Sequence, residues 1–113
     1  MDMFKGCKSL ASVTIGNGVT GIYRESFSGC TSLKSVVIPR GVTEITFEAF
    51  KDCTSLASVT IPRSVTEIDT YAFRLCSPNL KILYDGTKAQ WEATSGSKPK
   101  ATVQCSDGVI TVK

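Results

Sequence analysis

Cysteines have the most versatile chemistry in this sequence, and four of them recur at a fixed spacing. Cys7, Cys30, Cys53 and Cys76 are 23 residues apart, and Cys105 lies outside the series. Thiolates are nucleophiles and ligands of soft metal ions, so such a series could form disulfides, bind zinc or act in catalysis. Histidine, the commonest general base and metal ligand, is absent. Because no nucleophile–base pair or phosphate-binding loop is present either, we expect a protein that is not an enzyme.

The spacing of the cysteines also argues against disulfides and zinc. If each unit of 23 residues adds one strand to a stack, equivalent Cβ atoms point the same way at about 4.8 Å, beyond the ~3.5–4.5 Å that a disulfide prefers. A straight column of side chains cannot surround an ion tetrahedrally. We therefore expect reduced, buried thiols that fill space and donate weakly to loop carbonyls, and we expect no cofactor. Oxidation to disulfides is the alternative.

Apolar residues share the period of the cysteines. Residues 28–50 and 51–73 agree at most of their positions, and residues 5–27 follow the same pattern more loosely. A constant period of 20 to 50 residues is typical of solenoids, in which each coil buries its apolar face against its neighbours. The positions expected in the core are Phe4, Phe27, Phe50 and Phe73; Leu10, Leu33, Leu56 and Leu80; Val13, Val36, Val59 and Leu83; Ile15, Ile38 and Ile61; Val19, Val42 and Val65; and Ile22, Ile45 and Ile68.

Each unit predicts one main strand, a short second strand and a compact return. In "LKSVVI", Val36 and Ile38 alternate with Ser35 and Val37, as in a strand with one buried face. The strand should end at Pro39, because proline has no N–H for the ladder. "VTEI" predicts the second strand, and segments such as "EAFKDC" predict one helical or 3₁₀ turn.

The repeat stops before the end of the chain. After Leu83 the pattern fails, because Asp85 takes the slot of Ile61 and a charged residue is a poor core filler. We therefore divide the chain into a repeat array, 1–84, whose first coil is partial, and a capping segment, 85–113.

The capping segment predicts a helix and a hairpin. Residues 87–94 read as a short helix with Thr87 as N-cap and Gln90 as its capping-box partner. Residues 101–112 read as two strands joined by the Asp-Gly turn at 107–108.

The pattern C-x-x-L-x-x-V-x-I-P-x-x-V-x-x-I followed by A-F resembles the BspA-like subclass of leucine-rich repeats over residues 3–84. Residues 5–27 depart from it, with Gly16 in place of proline and Ser26 in place of alanine. The resemblance implies a right-handed leucine-rich-repeat solenoid, mostly β, with strands stacked in parallel. It also implies a surface-exposed or secreted bacterial protein that adheres to host or neighbouring-cell molecules. "YDGTKAQW" and "CSDG" resemble the closing segment that often follows such arrays in gut bacterial proteins.

Charge and hydropathy exclude two other classes of partner. The net charge is +3, and the 13 lysine and arginine residues form no block, so we expect no nucleic-acid binding. No apolar run approaches the ~20 residues that cross a bilayer, so we expect no membrane insertion. "MDMFKGCKSL" lacks the profile of a secretory signal.

Candidate binding residues are the side chains expected outside the core. The outward files of the main strands are predicted as Ser12, Ser35, Ser58 and Ile82, and as Thr14, Val37, Thr60 and Tyr84. Tyr23, Phe47 and Tyr71 are predicted to form an aromatic strip on the second face, or alternatively to support the turns. These residues predict a protein-interaction or adhesion module that binds a protein or glycan. The alternative is a structural spacer without its own ligand.

The start of the chain predicts a fragment of a longer protein, because "MFKGC" is the tail of a coil whose strand is missing. An edge strand and an apolar coil face at residues 4–22 are expected to promote self-association.

Overall fold

A computed structural model describes residues 8–16, 18–22, 27–46, 49–69, 72–73, 76, 79–94 and 101–111. The chain winds as a mostly β solenoid with a long sheet and a short sheet. The long sheet contains β1 (Ser12–Thr14), β3 (Ser35–Val37), β5 (Ser58–Pro62), β7 (Lys81–Asp85), β8 (Thr102–Cys105) and β9 (Gly108–Thr111). The short sheet contains β2 (Gly21–Ile22), β4 (Glu44–Ile45) and β6 (Glu67–Ile68).

The strands of the long sheet pair in parallel at the period of the sequence repeat. Val13 lies opposite Val36, which lies opposite Val59, which lies opposite Ile82. β8 continues the sheet in parallel beside β7, and β9 closes it with an antiparallel pair. The short sheet repeats the same parallel register, with Ile22, Ile45 and Ile68 in line. The predicted stacking of coils is thus confirmed.

Turns with i→i+3 hydrogen bonds return the chain between the sheets. The Cys30 N–H donates to the Phe27 carbonyl at 3.2 Å, and the Cys53 N–H donates to the Phe50 carbonyl at 3.3 Å. β3 ends before Pro39 as predicted, whereas β5 runs one position farther and includes Pro62 as its last residue. Proline is tolerated at such an end because no further ladder donor is needed there.

Aromatic rings are piled along the axis of the solenoid. Phe27 and Phe50 stack with centroids 5.1 Å apart and planes 2° apart, and Phe50 and Phe73 stack at 5.2 Å and 3°. The spacing is close to the ~4.8 Å strand separation, so the sheet period also sets the ring contacts. The column predicted from the repeat is confirmed for these three rings, and Phe4 lies outside the described residues.

The fourth coil corrects the predicted register. Ile82, not Leu83, lies opposite Val59 and is fully buried, whereas Leu83 is 38% exposed. The extra residue of "CSPNL" is absorbed before the strand, because Leu80 directly precedes Lys81 while Leu56 stands two residues before Ser58. The strand therefore keeps the 23-residue period, and the predicted one-residue offset, which would have turned every side chain to the opposite face, is wrong.

The same correction applies to the residues that follow. Tyr84 lies opposite Ile61 and is buried at 5% exposure, so it continues the apolar file. Asp85 lies opposite Pro62. The prediction that Asp85 replaces Ile61 in the core is wrong, and so is the outward placement of Ile82 and Tyr84.

A short helix, α1 (Lys88–Ala93), packs against the last coil. Thr87 is its N-cap, and the capping box with Gln90 is formed in both directions. Trp91 is buried at 1% exposure, with its ring edge-on to Tyr84 at a centroid distance of 5.1 Å. The Asp107 carboxylate of the hairpin turn accepts the Lys88 N–H at 2.8 Å, so hairpin and helix hold each other.

Candidate binding face

Alternation along the strands of the long sheet presents two rows of side chains on its outer face. One row, which we call the serine row, follows the register Ser12, Ser35, Ser58, Lys81 and Thr102. The other, which we call the exposed row, follows the register Thr14, Val37, Thr60, Leu83, Gln104 and Val109. Neighbouring positions in a row are about 4.8 Å apart.

The exposed row collects apolar side chains that lie outside the core. Val37 is 57% exposed, Leu83 is 38% exposed and Val109 is 47% exposed, and these are the exposed large hydrophobic residues of the described part of the chain. They occur on alternate strands, about 10 Å apart, with Thr60 and Gln104 between them. Single exposed apolar residues are normal, but their alignment in one row forms a surface suited to a partner.

The charge on the outer face is small. Within the described residues of the two rows, Lys81 is the one charged side chain, and it lies two residues before Leu83 on β7. An ion pair flanks the face, with the Arg63 Nε 3.9 Å from a carboxylate oxygen of Asp85. Both side chains are largely exposed, so the pair contributes little to stability. The face can therefore offer apolar contact, hydroxyl hydrogen bonds and one ammonium group.

The predicted candidates are distributed differently from the prediction. Val37 and Thr60 lie in the exposed row, and Thr14 holds its position in the register of β1. Tyr84 is buried against Trp91, and this burial raises the pKa of its hydroxyl. Tyr23, Phe47 and Tyr71 lie outside the described residues.

Sequence reasoning missed four residues of this face: Lys81, Leu83, Thr102 and Gln104. Lys81 is 23 residues after Ser58, and Leu83 is 23 residues after Thr60. Strict adherence to the period would have found both. Thr102 and Gln104 carry no such signal, because β8 lies beyond the repeat.

The cysteine column lies on the opposite side of the core and connects successive coils. The Cys53 Sγ donates to the Phe27 carbonyl at 3.0 Å, and the Cys76 Sγ donates to the Phe50 carbonyl at 3.0 Å. Cys53, Cys76 and Cys105 are free thiols. The predicted role as fillers that donate to loop carbonyls is confirmed for Cys53 and Cys76, and Cys7 lies outside the described residues.

Burial suppresses ionisation of these thiols. Desolvation is the largest cause, and it raises the pKa of Cys53 and of Cys76 to about 12. Burial also raises the pKa of Cys105. Thiols in this state are poor nucleophiles. In the described part of the chain, no three or more cysteine or acidic residues are grouped so that they could hold a metal ion.

The sequence profile of the BspA type leucine-rich repeat region matches residues 1–90 in six copies. The chain belongs to this family. A solved structure, that of a leucine-rich cell surface protein from Faecalibacterium prausnitzii A2-165, is 42% identical and superposes with a TM-score of 0.66. The similarity covers 71% of this chain and 21% of that one. No functionally curated protein shows significant similarity.

The comparisons agree with the architecture described above. A BspA-type leucine-rich repeat with stacked parallel strands and little helix is typical of protein-interaction or surface modules. No helix in the described part of the chain has the length and apolar character that crossing a membrane requires.

Proposed function

We propose that this BspA-type chain is a non-catalytic adhesion module of a bacterial protein that is surface-exposed or secreted. It binds a protein on a host or neighbouring cell through the outer face of the long sheet. The observation that carries the proposal is the exposed row, in which Val37, Leu83 and Val109 share one surface. The cell-surface description of the Faecalibacterium relative supports the location.

A protein ligand fits this face better than a glycan does. Apolar side chains about 10 Å apart can contact two or three apolar side chains of a partner, whereas a sugar is bound mainly through hydroxyl and aromatic contacts. The hydroxyl groups of Ser35 and Ser58 and the ammonium group of Lys81 add polar contacts beside them. Lys81 favours a partner that places a carboxylate near Leu83.

A structural spacer is the second candidate. It is favoured by the small side chains of the serine row and by the absence of Trp, Tyr and Arg from the described residues of both rows. Those three residue types contribute most of the binding energy in protein interfaces. A spacer would hold other segments apart and would need no ligand of its own.

The test is binding of the whole chain to purified extracellular matrix proteins, to a glycan array and to intact cells, measured by biolayer interferometry and flow cytometry. We expect saturable binding to a protein. The variant Val37→Asp/Leu83→Asp should weaken it at least tenfold, because both changes put charge into the apolar contact. Thr54→Asp, at an exposed turn residue outside the two rows, is the matched control and should bind like the wild type.

The arms of this experiment separate the candidates. Binding to glycans alone would overturn the assignment of a protein ligand. Binding that is equally strong in Val37→Asp/Leu83→Asp and in the wild type would overturn the assignment of the face. The absence of any binder among proteins, glycans and cells would favour the spacer.

A further inference from the structure

The first coil carries apolar side chains that are less covered than those of the next coil. Leu10, Val13, Ile15 and Val19 are half-buried, whereas the residues 23 positions later are buried at 2% exposure or less: Leu33, Val36, Ile38 and Val42. In the later coils, neighbours on both sides provide the burial. The first coil has the shape and chemistry of a coil–coil contact, and this contact occurs twice more within the chain, between β3 and β5 and between β5 and β7.

The edge of the long sheet at this coil is unprotected. Among the described residues, β1 pairs on one side only, with β3. Exposed edge strands in monomeric proteins normally carry charges or proline, which prevent pairing with another chain. Residues 9–22 contain neither. Where the second coil has Lys34, Pro39, Arg40 and Glu44, the first has Ala11, Gly16, Asn17 and Gly21.

The opposite end of the solenoid is closed. Trp91 is buried at 1% exposure between α1 and the last coil, and the hairpin of β8 and β9 covers the sheet beyond β7. Stacking of one chain's first coil on another chain's last coil therefore lacks a receiving face. A contact between two first coils is the arrangement in which both partners offer half-buried apolar residues and an open strand edge.

Charge distribution favours the same arrangement. A two-fold axis brings each residue near it close to its own copy, so any charge near the axis meets a like charge. The stretch 9–22 avoids this repulsion because it is uncharged. A two-fold contact also closes the assembly at two chains and does not continue as a fibre.

We propose that residues 8–16 and 18–22 form a homodimer interface, in which β1 of one chain pairs antiparallel with β1 of a second copy. The apolar residues of the two first coils then cover each other. The proposal is independent of the adhesive function, because the interface lies at the β1 edge of the sheet and the exposed row lies on its outer face.

The test is sedimentation velocity of the whole chain, with reductant, over a wide range of concentrations. We expect a monomer of 12.1 kDa at low concentration and a species of twice that mass at high concentration. Ala11→Lys places in the first coil the charge that the second coil carries at Lys34. We expect it to weaken dimerisation at least tenfold while circular dichroism stays unchanged.

The matched control is Ala57→Lys, the same substitution at the equivalent exposed position before β5, inside the sheet. It should dimerise like the wild type. A strict monomer at every concentration overturns the proposal. So does a dimer that Ala11→Lys leaves intact, or one that both lysine variants weaken equally.

Discussion

A thiol–carbonyl hydrogen bond links each cysteine to the preceding coil. Cys53 reaches the Phe27 carbonyl and Cys76 reaches the Phe50 carbonyl, each across 26 residues of sequence. A free carbonyl inside the turn would cost free energy, because the buried group would have no donor. The cysteine is small enough to fit within the coil and still supplies this donor. Its recurrence at a 23-residue spacing therefore follows from packing and hydrogen bonding, with no need of redox or metal chemistry.

The raised pKa of these thiols makes stability depend on alkaline pH. The pKa of Cys53 and of Cys76 rises from 9.0 to about 12 on folding. The unfolded chain therefore loses these protons first, so the stabilisation is complete below pH 9 and is lost as the pH rises towards 12. Between pH 8 and pH 10 each thiol should lower the free energy of unfolding by roughly 1 kcal/mol.

The measurement is urea unfolding under reductant at pH 8 and pH 10, for the wild type and for Cys53→Ala. Other groups also titrate in this range, so the comparison uses the change between the two pH values within each protein. We expect that change to be smaller in Cys53→Ala by roughly 1 kcal/mol. An identical change in both proteins would contradict the assignment.

At the scale of elements, the helix α1 depends on a small number of polar contacts. The Thr87 hydroxyl accepts the Gln90 N–H at 3.2 Å, and the Gln90 side chain accepts the Thr87 N–H at 2.8 Å. A helix of six residues has little intrinsic stability, so capping and the burial of Trp91 must hold it.

Removing the cap should therefore loosen the end of the solenoid. We expect Thr87→Ala to lower the free energy of unfolding by about 1 kcal/mol, because the N–H of Gln90 loses its acceptor. Thr87→Ser keeps the hydroxyl group and should stay within about 0.5 kcal/mol of the wild type. Chemical denaturation followed by Trp91 fluorescence measures both. Equal stability of the alanine and serine variants would show that the capping box contributes nothing.

The elements inside the repeat could be predicted from the sequence because the period is a physical constraint. Parallel strands that bury the same positions must keep the same register, so Val36 and Val59 had to lie side by side. The stacked rings of Phe27 and Phe50 follow from the same spacing. The helix was marked by the Thr87 and Gln90 pair, whose mutual hydrogen bonds are local in sequence.

The outer face could be predicted only in part. Leu80 stands one residue late in the sequence, and nothing local indicates whether the offset is absorbed before the strand or carried into it. The structure absorbs it, which places Leu83 outside and Tyr84 inside. The deciding factor is tertiary: Trp91 of α1 packs on Tyr84, and this contact exists only when Tyr84 faces inward.

At the scale of the whole molecule, stability should vary along the solenoid. In a repeat array each coil contacts only its neighbours, so its stability depends on how many neighbours it has. Leu56 in the third coil is fully buried, whereas Leu10 in the first coil is half-buried. Coils near β1 should therefore open more often than coils near β5, independently of global unfolding.

Hydrogen exchange followed by mass spectrometry tests this gradient. At concentrations low enough to keep the chain monomeric, amides of β1 should exchange faster than those of β5. The variant Leu56→Ala should cost about 2–5 kcal/mol, because it opens a cavity in a fully packed site, whereas Leu10→Ala should cost less than half as much. Uniform exchange along the chain, or equal losses from the two substitutions, would mean that the solenoid unfolds as one unit and that the first coil is as well supported as the third.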